Sequence, residues 1–195
     1  MKPQDLYNQA ISHFSISAFE QAHANVVVNH IKQLADNPPI ALLIAGFFHD
    51  IDRSTKEVVN TKTNNNYEEN KRLHAKNCAQ ITTTFLKDLP QPLLEDVYYL
   101  IEHHEQGPPT TQELLDKHTN SFDLNQAAHT LFCADKLAFF SQSIHTYTNR
   151  GEERLRKKIR FSLQHLPQQH HKTIQELTYP QEAQRIVEEE LALIN

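Results

Sequence analysis

Glycine is almost missing from this chain of 195 residues, which has three: Gly46, Gly107 and Gly151. So few cannot serve the turns of a β-sandwich or barrel, and there is no glycine-rich loop to cradle a nucleotide's phosphates. Tryptophan is absent, and the two cysteines, Cys78 and Cys133, stand far apart in segments of helical pattern. They provide neither a disulfide framework nor a paired-cysteine metal site, so reduced thiols in a cytoplasmic protein are the expectation. No apolar run approaches the roughly 18 residues of a membrane helix. Met1 is followed by Lys2-Pro3-Gln4-Asp5 rather than an apolar leader, so neither a span nor a signal peptide is expected. Positive charge is not in excess either, since 19 Lys and Arg face 24 Asp and Glu for a net charge of −5. Without a basic, aromatic-studded stripe, neither a nucleic-acid polymer nor a membrane is an expected partner. Composition leaves the oligomeric state open.

What is plentiful is histidine, with 13 residues, and their spacing matters more than their number. Residues 4–14 read as a short helix. Ser15 or Ser17 caps a longer one running to about Ala35, with Phe19, Val26, Val27, Ile31 and Leu34 on its apolar face. Asp36-Asn37-Pro38-Pro39 breaks the chain, and an apolar helix from Pro39 ends abruptly at His49-Asp50-Ile51-Asp52-Arg53. Residues 54–70 lose all periodicity, as expected of a long polar loop able to cover a site. A helix resumes near Tyr67 with His74, Cys78, Ile81 and Phe85 on one stripe, ending before Pro90. The next, from Pro92, carries Leu94, Val97, Tyr98, Ile101 and His104 or Glu105 with His103 at its flank, and stops at Gly107-Pro108-Pro109. A short helix near Thr111–Lys117 follows, then one from Leu124 bearing Ala128, Leu131, Phe132, Asp135 and Phe139. After a break at Asn149-Arg150-Gly151 come a basic helix from Glu152 to about Leu166 and a last helix after Pro180. No strand-like alternation occurs. The expectation is an all-α bundle forming one domain over residues 1–195, its core in 15–147 and helices 151–195 packed on it.

Six polar residues fall on inward helix faces: His23, His49, Asp50, His74, His103 and Asp135, with His104 beside them. A carboxylate on an apolar face costs several kcal/mol, about 3–5 if left unpaired, unless a partner or a cation compensates it. Successive members lie about one helix and a connection apart, so each can project from a different helix into one centre. Imidazole and carboxylate together suit Fe, Mn, Ni, Co or Zn; Mg is the hard-cation alternative. Four histidines and two aspartates suffice for two ions, with Asp50 as the natural bridge because His49 adjoins it. Arg53 is placed to bind a substrate phosphate, and Lys136 to do the same or to pair with a carboxylate. The remaining histidines, His30, His118, His129, His145 and His165 among them, are assigned to structure or surface. The Arg154–Arg160 cluster is read as a solvated helix face.

These residues resemble the HD superfamily of metal-dependent phosphohydrolases, whose pattern is a helical histidine, an adjacent His-Asp pair and a distant aspartate. The matching positions are His23 with Val26-Val27 and Leu34-Ala35 behind it, the apolar helix closing in His49-Asp50, and Ala134-Asp135-Lys136, over about residues 15–140. His74 in Leu73-His74-Ala75 and His103 in Ile101-Glu102-His103-His104 resemble the dinuclear branches. The resemblance implies an HD-type helical bundle in which His23, His49, Asp50 and Asp135 hold one divalent ion and Asp50, His74 and His103 the second. Asp50, Arg53 and His104 would serve the reaction, His104 as a substrate-facing or supporting group. Several branches fit poorly. Arg53-Ser54 stands where guanosine-tetraphosphate hydrolases carry Glu-Asp, and Arg53 where nucleoside monophosphatases carry glutamate. Glu105-Gln106-Gly107-Pro108-Pro109 replaces the Gly-Tyr-Pro element of cyclic-di-GMP phosphodiesterases. The bacterial dinucleoside tetraphosphate hydrolases come nearer in length and ligand order, though the segment after Asp135 differs. The expected substrate is therefore a small phosphorylated metabolite, a nucleotide or dinucleoside polyphosphate. The alternatives are a mixed-valence di-iron oxygenase of the same fold and a metal-binding regulatory module.

Overall fold

Helix α3, Ile40–Phe48, is apolar on every side, and a helix of that composition must be surrounded by protein. In the computed structural model, which describes residues 3–12, 18–54, 67–107 and 123–194, seven of its nine residues are buried. Around it pack α1 (Pro3–Ser12), α2 (Ala18–Leu34) and α5 (Gln91–Glu102), while α4 (Tyr67–Phe85) lies against α5. The fold is all-α, with no strand among the described residues. The expected 54–70 loop, beyond Ser54 and before Tyr67, the Ser15 and Ser17 caps and the helix near Thr111–Lys117 all lie outside the described residues.

The approach of α2 to α3 is set at Gly46. A Cβ there would run into the Ile31 Cδ1 methyl and touch Val28 Cγ2 at 3.5 Å, so this glycine is there for close approach rather than for backbone freedom. On α2 the inward stripe is His23, Ala24, Val27, Val28 and Ile31, which carries a histidine straight into the core. The helix expected to run from Pro39 to Asp50 stops at Phe48. His49 is its C-cap, and a 3-10 turn, Ile51–Ser54, follows and packs on α4 and α2. On α4 the buried stripe is Ala75, Cys78, Ala79 and Thr82. Phe85, expected inward, is 41% exposed; the helix is rotated so that small residues meet its neighbours.

The chain divides into two compact units, residues 1–134 and 135–195, and the boundary falls inside α6 (Leu124–Ala138). Beyond it, a π-helical turn (Phe139–Ser143) and α7 (Ile144–Tyr147) prolong that helix. The rest of the second unit is α8 (Glu152–His165), α9 (His171–Gln175) and α10 (Gln181–Ile194). Leu155, Ile159, Leu163, Ile174, Ala183, Ile186, Val187 and Leu191 are buried between these helices. The basic face of α8 is not simply solvated. Arg156 Nη1 and Arg160 Nε donate to the buried Glu190 of α10 at 3.0 and 2.7 Å, and Arg156 Nη2 to Glu189 at 2.6 Å. No described helix is long and apolar enough to cross a membrane.

Candidate metal centre

The first unit gathers four imidazoles around one carboxylate. Asp50, in the turn that ends α3, is buried. His74 Nε2 lies 2.9 Å from its Oδ1, and His104 Nε2 3.9 Å from the same oxygen. His49 Nε2 and His23 Nε2 approach the other oxygen to 3.6 and 3.7 Å. Ring centroids are 5.3 Å apart for His23 and His49, 5.2 Å for His49 and His104, and 5.5 Å for His74 and His104. Two helices and two helix ends converge here: α2 supplies His23, the end of α3 His49 and Asp50, α4 His74, and the turn after α5 His104.

Helix ends orient two of the rings. The last turn of a helix leaves carbonyls without a full set of intrahelical donors, and an imidazole three residues on can use one. His49 Nδ1 bonds Gly46 O at 2.9 Å, and His104 Nδ1 bonds Ile101 O at 2.7 Å. A carbonyl only accepts, so Nδ1 carries the proton in both rings and, in a neutral ring, Nε2 keeps its lone pair. In each ring that nitrogen points towards Asp50. Burial, together with the neighbouring His49, drives the pKa of His104 down to about 4, so this ring is neutral at ordinary pH. Its Nε2 is buried with no hydrogen-bond partner among the described residues. A lone pair and a carboxylate facing each other at 3.9 Å repel unless positive charge stands between them.

Asp50 is in turn surrounded by positive character. Burial alone would raise its pKa, but Arg53, whose Nη1 is 2.6 Å from Oδ2, and His49 and His74 outweigh that and hold it well below the usual carboxylate range. For His74, burial works against the charged form, and the hydrogen bonds to Asp50 and Asp52 more than reverse it, raising the pKa. Nδ1 of His74 lies 2.7 Å from Asp52 Oδ2 and 3.8 Å from Cys78 Sγ. The guanidinium of Arg53 is half exposed, 51% for its side chain, at the edge of the group.

The arrangement suits a divalent cation. Asp50, His74 and His104 offer ligand atoms within 4.8 Å of one another, and so do Asp52, His74 and Cys78. Of the residues singled out in the sequence, His23, His49, Asp50 and His74 come together. At the adjacent pair it is His104 that enters, where the sequence reading put His103 in the ligand set. The His103 ring packs edge-to-face against Tyr99, centroids 4.5 Å apart. Asp135 is the first residue of the second unit, and its Oδ2 accepts a hydrogen bond from Lys136 Nζ at 2.7 Å. Lys136, fully buried, is thus committed to a carboxylate. Asp52 and Cys78 were not read as site residues; the signal for the first was a second aspartate two positions after Asp50, buried in spite of its charge.

Against protein-family models, residues 22–139 match the HD domain. No curated protein and no solved structure matches the chain.

Proposed function

The chain belongs to the HD domain family, and from that premise we propose that it is a metal-dependent phosphohydrolase acting on a small phosphorylated metabolite, a nucleotide or dinucleoside polyphosphate. The observation that carries the reading is the neutral, buried His104, whose Nε2 faces Asp50 with no hydrogen-bond partner among the described residues. Such a donor is costly as structure and useful as a ligand. His23, His49 and Asp50 would hold one divalent ion, and Asp50 with His74 and His104 would hold a second. When bound, two such ions supply a hydroxide at neutral pH and neutralise charge on a phosphoryl group.

The chain's own residues do the rest. The carbonyls of Gly46 and Ile101 hold the rings of His49 and His104 in one tautomer, so their ligand atoms need no reorganisation. Arg53 pairs with Asp50 and has half its side-chain surface in solvent, where a phosphate can meet the guanidinium. The net charge of −5 favours a small substrate over a nucleic-acid polymer. The test is a screen of phosphorylated metabolites, dinucleoside polyphosphates included, with Mn, Fe, Co, Ni, Zn and Mg supplied in turn. Release of phosphate or nucleotide by the wild type and not by Asp50→Ala is the expected result. If no phosphoester is turned over with any metal, while reduced iron and oxygen consume an organic substrate, hydrolysis is the wrong reaction.

A further inference from the structure

Three of the imidazoles around Asp50 are oriented in different ways, and the difference points to a residue outside the ligand set. His49 caps α3 and His104 lies just past α5, so each finds a last-turn carbonyl three residues back. His74 has no such recourse. It sits in the interior of α4, seven residues after Tyr67, where the carbonyls of the preceding turn are engaged in the helix's own ladder. A mid-helix ring pointing sideways is held only by what a neighbouring element brings to it. The 3-10 turn Ile51–Ser54, packed on α4, brings Asp52, whose Oδ2 is 2.7 Å from His74 Nδ1.

We propose that Asp52 is the positioning residue of this centre: it accepts the Nδ1–H of His74, so that Nε2 is the atom presented to Asp50 and to a metal ion. This rests on the reading above that His74 holds an ion. A carboxylate oxygen only accepts, so the contacts to Asp52 at 2.7 Å and to Asp50 at 2.9 Å put a proton on each ring nitrogen; an ion at Nε2 would take the place of the proton shared with Asp50, and the Nδ1–H held by Asp52 stays. Nε2 then lies 2.9 Å from Asp50 Oδ1, on the side where His104 Nε2 also approaches. The arrangement is a carboxylate–histidine–metal relay, in which the outer carboxylate fixes ring plane and tautomer and makes the imidazole a better donor. Asp52 is buried at 7% exposure and follows Asp50 by two residues, in the 3-10 turn that the Arg53 N–H ties back to Asp50 O at 3.1 Å. Asp52 and Asp50 are therefore delivered together, and the His-Asp-Ile-Asp run encodes both. Cys78 Sγ, 3.8 Å from the same nitrogen, is a much weaker partner.

The experiment combines Asp52→Asn, Asp52→Ala and Cys78→Ala with two readouts that do not depend on activity. The first is zinc affinity and stoichiometry by titration, with circular dichroism as the check on folding. Asp52→Ala should weaken the ion held by His74 by about 10–100-fold and leave the other unchanged, with Asp52→Asn, which keeps an acceptor oxygen, in between. The second is the long-range proton–nitrogen spectrum of protein labelled at histidine nitrogens. In wild type, His74 should show an exchange-protected Nδ1–H with and without zinc, lost in Asp52→Ala. Unchanged zinc affinity in a folded Asp52→Ala, or a zinc-loaded His74 with its proton on Nε2, overturns the proposal. So does loss of affinity in Cys78→Ala but not in Asp52→Ala. A wild type that binds zinc with these properties yet hydrolyses no phosphoester would sink the phosphohydrolase reading and leave Asp52 in place.

Discussion

Two adjacent histidines show how finely the centre depends on single residues. α5 ends at Glu102, and the backbone turns through 103–106. The ring that continues the helix's buried line Leu94, Val97, Ile101 is His104, whereas His103 turns back onto Tyr99. His104→Ala should therefore remove one bound ion per chain and lower the turnover of any phosphorylated substrate at least 10-fold. His103→Ala should leave the metal content unchanged and cost about 1 kcal/mol, the order of its edge-to-face ring contact with Tyr99. Metal analysis of the two variants after identical loading decides between them. Metal loss in His103→Ala with His104→Ala unaffected would reverse the assignment. The periodicity of α5 put position 104 or 105 on the inward face and 103 at its flank. The sequence reading gave position 103 the ligand role by resemblance, and resemblance does not register where a helix stops.

At the scale of elements, two contacts set geometry. Gly46 lets α2 lie close on α3, which brings the His23 and His49 rings to 5.3 Å. Gly46→Leu should destabilise by about 1–3 kcal/mol and reduce metal affinity as well, since the helices must move apart. Gly46→Ala should be tolerated better, because the obstructing atom is the tip of the Ile31 side chain, which can rotate away. Denaturant midpoints and metal titrations of both variants check this; equal effects would show that the crossing is not limited at Gly46. In the second unit, α8 and α10 are joined through Glu190, whose pKa is lowered chiefly by its hydrogen bond from Arg160, with Arg156 assisting against the burial. A carboxyl depressed in the folded state stabilises above its unfolded value, ordinarily 4.5, and that contribution is lost as pH falls through the folded one. Glu190→Gln should thus lower the melting temperature by a few degrees at pH 7 and make no difference once acid has protonated the wild-type carboxyl. A gap that persists at low pH would mean that packing rather than charge holds Glu190.

For the molecule as a whole, a cation bound only by the folded state links metal supply to stability. Free metal at about 100–1,000 times its dissociation constant contributes about 3–4 kcal/mol. Chelation should lower the melting temperature of wild type by several degrees and that of Asp50→Ala hardly at all; calorimetry with and without chelator reads the difference. An equal response in both would detach stability from this site. The all-α fold, most helix limits and the inward placing of His23, His49, Asp50 and His74 were legible in the sequence. Apolar periodicity is local, and a charged group set in an apolar stripe stands out without any coordinates. The basic run on α8 could be read only as a surface, because its partners on α10 are about 30 residues away in sequence. The same holds for Asp52, whose role depends on a turn meeting the side of a helix 22 residues later. The sequence by itself thus determined which elements form and which chemistry they carry. Tertiary structure decided which nitrogen faces which oxygen, because hydrogen bonds of 2.7–2.9 Å between distant elements follow from their packing and leave no periodic trace in the chain.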